Sequence, residues 1–75
     1  MILELRYFGR ISELIKKESE RIVFEDNITV GELKERRVEL KNQVYQIVVN
    51  QKICENDFSI ESDAEVAFLP PFAGG

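Results

Sequence analysis

Apolar and polar residues alternate at the start of the chain, where residues 2–8 carry the period-two pattern that predicts a β-strand. Gly9 interrupts this pattern. Residues 10–18 then place apolar side chains at helical spacing, which predicts a short amphipathic helix. Alternation returns over residues 20–25 and predicts a second strand, which ends at a polar turn signal over residues 26–27.

A second helix is predicted from its capping residues. Thr29 stands three residues before Glu32, the spacing at which each side chain can bind the other residue's backbone N–H group. Ile28 precedes the cap and Leu33 follows it, at the positions of a hydrophobic staple. The sequence therefore predicts a helix that begins after Thr29 and fades into the charged stretch 34–41.

The second half of the chain is dominated by strand and turn signals. Residues 44–49 are rich in β-branched and aromatic residues and give the strongest strand signal in the chain. The polar pair 50–51 predicts a turn into a short partner strand around residues 53–54. Residues 55–63 are polar and turn-rich, and residues 65–69 predict a last strand.

The resulting order β-α-β-α-β-β-β indicates the α+β class. One mostly antiparallel sheet, curled around a helix, would use these elements in so short a chain. From topology alone we expect the first and last strands, 2–8 and 65–69, to lie side by side and parallel at the centre of this sheet.

Composition narrows the possible chemistry. The chain has 75 residues, of which 44% are apolar and 32% charged, a size and composition typical of one small globular domain. It has no histidine and one cysteine, which excludes an imidazole base, a Cys/His zinc site and an intramolecular disulfide. Cys54 is interpreted as a small core residue, because no histidine or CxxC motif accompanies it. Neither a membrane span nor a signal peptide is predicted, so we expect a cytosolic protein.

Charge is distributed unevenly along the chain. The formal net charge is −4, from 10 bases and 14 acids. Residues 53–75 hold 5 of these acids and no base, which leaves 9 acids and 10 bases in residues 1–52. This balance argues against nucleic acid as a partner and favours a basic protein surface for the C-terminal third.

The last six residues form the most informative segment. Pro70 and Pro71 are expected to end the last strand, because proline cannot donate to a ladder, and to direct the chain outward as a stiff stalk. Residues 70–75 can span about 20 Å when extended. Gly74 and Gly75 then make a tip without side chains, which can enter a narrow channel in another protein.

Such a tip suits activation of its terminal carboxylate. Attack of the carboxylate on the α-phosphate of ATP gives an acyl-adenylate, which a sulfur or nitrogen nucleophile can open. The chain would supply the acyl group. The bases that neutralise the triphosphate, and its Mg²⁺ site, would lie in a partner protein.

The segment 65–75, EVAFLPPFAGG, closely resembles the C-terminus of a known family, the small subunits of molybdopterin synthase, which are ubiquitin-like sulfur carriers. The chain departs from that family in a shorter segment 34–44, which predicts a stubby second helix, and in the absence of a loop glycine within residues 62–65. Further similarities occur in the same order along the chain, at Phe8-Gly9-Arg10 with Glu13-Leu14, at Thr29-Val30 with Leu33, and at Val49-Asn50-Gln51.

The resemblance implies a β-grasp, or ubiquitin-like, fold over residues 1–69, with a mixed sheet of about five strands, two short helices and an extended tail over residues 70–75. It implies that an ATP-dependent adenylyltransferase activates the chain and that a sulfur donor converts the product into a thiocarboxylate. The large subunit of the synthase, in a heterotetramer, would pass this sulfur to a cyclic pyranopterin monophosphate during molybdenum or tungsten cofactor biosynthesis. The chain would be a non-catalytic co-substrate that binds no cofactor stably, since ATP is used by the activating partner.

The resemblance also assigns residues of the tail to roles. The adenylate and the thiocarboxylate would form on Gly75, and Gly74 would give passage through the partner's channel. The residues expected to direct the tail and to seat it in the partner are Pro70, Pro71, Phe72 and Ala73.

Other interpretations remain open at the level of sequence. The chain could carry sulfur for another pathway, such as thiamine synthesis or tRNA thiolation, although the Pro-Pro-Phe stalk is unusual for the thiamine carriers. It could be a protein modifier joined through Gly75 to lysines, because the same adenylate serves that reaction. It could also be an interaction domain whose tail has no chemical role.

Overall fold

Seven strands, two α-helices and one 3-10 helix occur in residues 1–71, the part of the chain that the computed structural model describes. Neither α-helix in this part has the length and hydropathy needed to cross a membrane. The helices are α1 Arg10–Ile15 and α2 Val30–Glu35, with the 3-10 helix over Val38–Leu40. The strands are β1 Ile2–Tyr7, β2 Ser19–Val23, β3 Ile28–Thr29, β4 Gln46–Val49, β5 Lys52–Cys54, β6 Ser59–Ile60 and β7 Ala64–Leu69.

Five of these strands form one mixed sheet in the order β2-β1-β7-β4-β5. The central strands β1 and β7 run parallel, with Leu5 opposite Val66, and the other neighbours are antiparallel. The parallel pairing of the first and last strands is therefore confirmed. The mixed sheet of five strands with two short helices confirms the predicted α+β, β-grasp architecture.

A separate pair of short strands was not predicted. β3 and β6 are antiparallel, with Ile28 opposite Ile60, and both of these side chains are buried. β6 lies in the stretch 55–63, which is predicted to be a polar, turn-rich segment without a strand. Each of these strands has two residues, which is too short for an alternating pattern to show in the sequence.

The core lies against one face of the sheet. Alternation gives each central strand one buried face, and the helices α1 and α2 contribute buried apolar side chains to the same core. Leu5 is fully buried, so truncating it to alanine should cost about 2–5 kcal/mol. The core residues of the three central strands are Leu3, Leu5, Tyr7, Ile47, Val49, Val66 and Phe68, and those of the two helices are Ile11, Ile15, Val30 and Leu33.

The first helix is shorter than the predicted span 10–18. It ends at Ile15, because Lys16 takes a left-handed conformation with φ 66° and ψ 34°. The N–H groups of Lys16 and Lys17 both donate to the carbonyl oxygen of Ser12, at 2.8 and 3.3 Å. The chain reverses direction at Lys16 and Lys17. As a result the Tyr7 N–H donates to the carbonyl oxygen of Glu18 at 2.9 Å, and the pairing of β1 with β2 begins directly after the helix.

The capping box of the second helix is confirmed. The Glu32 N–H donates to Thr29 Oγ1 at 3.1 Å, and the Thr29 N–H donates to Glu32 Oε1 at 2.9 Å. The backbone hydrogen bond from Thr29 lowers the pKa of the Glu32 carboxyl below its usual value. The helix that follows has six residues, in agreement with the predicted stubby helix.

The β4–β5 hairpin turns at the predicted polar pair. Asn50 and Gln51 have φ values of 47° and 73°, which fits a two-residue turn with both central residues in the left-handed region. Residues 50 and 65 exchange two hydrogen bonds, since the Asn50 N–H donates to the Glu65 carbonyl oxygen at 2.9 Å and Asn50 Oδ1 accepts from the Glu65 N–H at 3.0 Å. The hairpin is thus tied to the start of β7. The strand itself begins at Gln46, two residues later than predicted, and Val44 is exposed.

A polar cluster ties the segment after α2 to the β1–β2 hairpin. Tyr7 donates its hydroxyl hydrogen to Glu20 Oε2 at 2.6 Å, and the Arg37 guanidinium donates to the same oxygen at 2.5 Å. Lys17 Nζ donates to Glu20 Oε1 at 3.2 Å. Burial acts to raise the pKa of Glu20, but the hydrogen bonds from Tyr7 and Lys17, together with the charge of Arg37, lower it overall.

Candidate functional site

The C-terminal tail begins where the central strand β7 ends. Leu69, the last residue of β7, lies opposite Gln46 of β4, and on the other side the Phe8 N–H donates to the Phe68 carbonyl oxygen at 3.2 Å. Pro70 directly follows Leu69 and has no N–H group to donate to a neighbouring strand, so the hydrogen-bond ladder of the sheet ends here. Because β7 is held by strands on both sides, the start of the tail is fixed to the centre of the five-stranded sheet.

Gly9 makes room for the first residue of the tail. It has a φ of 56°, and a Cβ atom placed on it would lie 3.3 Å from Cγ of Pro70. Any side chain here would meet both a strained backbone and the proline ring. From the sequence, Gly9 is predicted to end the first strand and belongs to the motif Phe8-Gly9-Arg10, but neither reading predicts a contact with Pro70. The sequence does contain a signal for this contact. A glycine directly follows residues 2–8, and a proline directly follows residues 65–69, the strand predicted to lie parallel beside them.

The predicted tail residues are described only in part. Pro70 is half-buried and Pro71 is exposed, so the chain reaches the surface of the domain at these two residues. The remaining residues assigned to the site lie outside the described part of the chain, and their assigned roles stay predictions. They are Phe72, Ala73, Gly74 and Gly75.

An apolar strip on the outer face of the sheet leads away from the base of the tail. Phe8 and Leu69 occupy its end nearest the tail, and Phe8 is 43% exposed. Val48 lies opposite both Ala67 and Ile53, which continues the strip across β7, β4 and β5. Ile53 is 66% exposed. An apolar strip of this kind on an exposed sheet face is typical of a protein-binding surface.

The acidic residues that precede the tail lie at the other end of β7. Asp63 Oδ1 accepts from the Ile2 N–H at 2.7 Å, and Glu65 forms an ion pair with Arg6 at 3.1 Å. The Cα atoms of Glu65 and Pro70 are separated by about 16 Å, at ~3.3 Å per residue of strand. Any attraction of these acids for a basic partner would therefore act away from the base of the tail.

The lone cysteine packs against the core, as predicted. Cys54 is half-buried against the core, and its Sγ lies 3.3 Å from the carbonyl oxygen of Lys52. In residues 1–71 there is no cluster of three histidine, cysteine, aspartate or glutamate side chains arranged to hold a metal ion.

The five-stranded sheet and the tail that continues its central strand define a small ubiquitin-like domain of the β-grasp class. Residues 5–75 match the ThiS family, and the chain belongs to that family of ubiquitin-like sulfur carriers. The match covers most of the folded domain and residues 70–75.

Solved structures with the same fold cover nearly the whole chain. A molybdopterin converting factor subunit 1 of Pyrococcus furiosus has a TM-score of 0.81 and 22% identity, covering 95% of this chain and 98% of that one. A chain from the complex of subunits 1 and 2 of molybdopterin-converting factor of Helicobacter pylori has a TM-score of 0.67 and 28% identity, covering all of both chains. Small archaeal modifier protein 1 of Haloferax volcanii has a TM-score of 0.78 and 17% identity, covering 93% of this chain and 97% of that one.

Proposed function

We propose that this chain is the small, sulfur-carrying subunit of a molybdopterin synthase. The observation that carries the proposal is the sequence Pro70–Gly75, which directly continues the central strand β7 and reaches the surface at Pro71. The similarity to a chain of the Helicobacter pylori complex, at 28% identity over the full length, supports this proposal.

The proposed chemistry takes place on the carboxylate of Gly75. A carboxylate oxygen attacks the α-phosphorus of ATP, and pyrophosphate leaves. A hydrosulfide ion, supplied by a donor, then attacks the acyl carbon, and AMP and a proton leave to give the thiocarboxylate. The ATP-dependent adenylyltransferase binds the nucleotide and its metal, so this chain needs no resident cofactor.

Transfer of the sulfur requires the charged tail to enter a second protein. The large subunit of the synthase accepts the thiocarboxylate, and its sulfur replaces an oxygen substituent of the cyclic pyranopterin monophosphate. Water hydrolyses the acyl–sulfur bond, so that Gly75 returns as a carboxylate. Gly74 and Gly75 pass through a narrow channel because they have no side chains. The apolar strip from Phe8 to Ile53 provides the surface on which this large subunit docks, with Pro70, Pro71, Phe72 and Ala73 guiding the tail.

Intact-mass analysis tests the carrier chemistry. The purified chain is incubated with its activating enzyme, ATP and a sulfur donor, and should gain the mass expected from exchange of one oxygen for sulfur. A variant lacking Gly75 should keep its circular dichroism spectrum and melting temperature but should not be charged or transfer sulfur. Absence of the mass gain under conditions that charge an established carrier would overturn the proposal.

A protein-modifier function is the second candidate, because the chain shares its fold with small archaeal modifier protein 1. The Gly75 adenylate would then be opened by lysine amines rather than by sulfur. Recovery of isopeptide-linked adducts from a lysate, with the Gly75 deletion as control, separates the two functions. Adducts on many proteins without thiocarboxylate formation would favour the modifier.

A further inference from the structure

A groove lies between the end of α2 and the segment that leads into β4. It has a volume of about 660 Å³, and Lys34, Val38, Lys41, Val44 and Tyr45 are among the residues that line it. This groove is separate from the apolar strip on the outer face of the sheet.

The groove is apolar along its rim. Val38 and Val44 are 73% and 78% exposed, and they are the two most exposed of the large apolar side chains in residues 1–71. Tyr45 adds an aromatic wall, which is fixed by stacking on Phe68 at 5.7 Å between ring centroids. A partner that covers exposed β-branched side chains next to an aromatic ring removes apolar surface from water, which favours binding.

The charge of the groove is opposite to the charge of the whole chain. The lining includes the cations Lys34, Arg37 and Lys41 but only one acid, Glu35. Arg37 is neutralised by its ion pair with Glu20, whereas Lys34 and Lys41 form no ion pair with any residue of the segment 1–71. The Lys34 ammonium lies 5.3 Å from the centre of the Tyr45 ring, so a positive charge is held at the aromatic wall.

The groove also lies next to the start of the tail. Tyr45 directly precedes Gln46, which pairs with Leu69, the last strand residue before Pro70. The Tyr45 wall of the groove is therefore one residue away from the strand pair that ends β7, beside the base of the tail. Contact with the groove would extend the interface that the tail begins.

We propose that this groove binds an acidic segment, bearing at least one large apolar side chain, of the protein that receives the tail. The apolar side chain packs between Val38 and Val44, and the carboxylates of the segment face Lys34 and Lys41. The identity of the occupant as a tail-receiving partner rests on the proposed function, whereas its chemistry rests on the groove alone.

The test uses a synthetic peptide, capped at both ends, in which aspartate and glutamate alternate with leucine and phenylalanine. Binding to the isotope-labelled full chain is followed by nitrogen–proton correlation spectra. The acidic peptide should shift the amide signals of residues 34–45, and a peptide with lysine in place of each acid should not. The variant Lys34→Glu/Lys41→Glu should bind the acidic peptide about tenfold more weakly.

Two further variants keep this test decisive. Lys52→Glu changes the net charge by the same amount as Lys34→Glu or Lys41→Glu alone. Lys52 lies in β5, outside the groove, so this variant should bind the acidic peptide as tightly as the unmodified chain does. Lys41→Glu alone leaves the contact between Lys34 and Tyr45 intact, so a loss of affinity there cannot be ascribed to a disturbed Tyr45. Equal weakening by Lys52→Glu would show non-specific attraction and would overturn the proposal.

The remaining outcomes separate this proposal from the carrier function. A chain that becomes thiocarboxylated but shows no shifts in residues 34–45 with the acidic peptide contradicts the groove proposal alone. A chain that binds the peptide in the groove but never becomes thiocarboxylated contradicts the carrier proposal, and it supports an acidic, apolar ligand for the groove. Shifts of the same signals on simple dilution would identify a second copy of this chain as the occupant and would also overturn the partner assignment.

Discussion

The α-carbon of Gly9 packs so closely against the ring of Pro70 that an added Cβ atom would lie 3.3 Å from Cγ of the proline. This contact joins Gly9, two residues after the end of the first strand, to Pro70, which directly follows the last strand. It exists because β1 and β7 are parallel neighbours, so their C-terminal ends meet at the same edge of the sheet. The position of the tail's first residue therefore depends on a glycine 61 positions earlier (70 − 9).

The variant Gly9→Ala should disturb both stability and charging of the tail. Forcing a side chain into a φ of 56° costs about 1–3 kcal/mol, and the crowded Pro70 has to shift. We expect a lower free energy of unfolding in urea and a slower rate of thiocarboxylate formation at Gly75.

Gly31→Ala is the matched control for Gly9→Ala. A Cβ atom on Gly31 would lie 3.2 Å from the carbonyl oxygen of Asn56, so this variant meets similar crowding, but without a positive φ and inside a helix that favours alanine. It should lose less stability and should be charged at the normal rate. Equal charging rates for both glycine variants would show that Gly9 does not position the tail.

Glu20 should stabilise the fold in a pH-dependent manner. Its folded-state pKa is lowered, so the stability it contributes is present above its unfolded-state pKa of about 4.3 and is lost as the pH falls through the lower folded-state value. The variant Glu20→Gln should therefore lose about 1–3 kcal/mol near neutral pH, since the charged hydrogen bonds from Arg37 and Lys17 are weakened.

Urea unfolding of the unmodified chain and of Glu20→Gln, measured from neutral pH down to acid, checks this expectation. The difference in unfolding free energy should shrink toward acid pH. Glu4→Gln is the control, because the ion pair of Glu4 with Arg21 is solvent-exposed and should be worth about 0–1 kcal/mol. A difference for Glu20→Gln that grows toward acid would contradict the assignment.

Local patterns predicted most of the main fold. Alternation in residues 2–8 and the Thr29–Glu32 spacing are properties of neighbouring residues, and both appear in the structure as β1 and as the capping box. The parallel pairing of β1 with β7 followed from the small number of ways in which so few elements can share one sheet.

Contacts between distant residues were not predictable in this way. The hydroxyl of Tyr7 meets Glu20 13 positions away, and Arg37 reaches the same carboxylate from 17 positions away. No periodic pattern in the sequence predicts these contacts with Glu20, because they depend on how β2 and the segment after α2 pack together. The Gly9–Pro70 contact escaped prediction for the same reason. The tail is visible in the sequence as Pro70-Pro71 followed by Gly74-Gly75, and the roles assigned to its residues stay predictions.

Phe8 should contribute to binding of the large subunit, if the carrier function is correct. Its side chain is 43% exposed beside Leu69, at the end of the apolar strip nearest the tail. Phe8→Ala should therefore change the melting temperature little but weaken binding about tenfold, the loss typical of an aromatic side chain central to an interface. Calorimetric titration with the large subunit measures this affinity.

Val23→Ala serves as the control for Phe8→Ala. Val23 is 71% exposed and lies opposite Ile2, at the other end of β1 from Phe8. This variant should bind the large subunit with unchanged affinity. Similar weakening by both variants would mean that the docking surface is not centred on the base of the tail.

Asn50 should stabilise the β4–β5 hairpin through its side chain as well as its backbone conformation. Asn50→Ala removes the Oδ1 acceptor of the Glu65 N–H and places alanine at a φ of 47°, so we expect a loss of about 1–2 kcal/mol. Asn50→Asp keeps both an acceptor oxygen and a residue that tolerates the left-handed region, and should lose much less stability.

Gln51→Gly creates an Asn-Gly turn at a φ of 73° and should raise the unfolding free energy. Urea unfolding of the three variants tests this order of stabilities. If Asn50→Ala and Asn50→Asp were equally unstable, the hydrogen bond to the start of β7 would have no part in holding the hairpin in place.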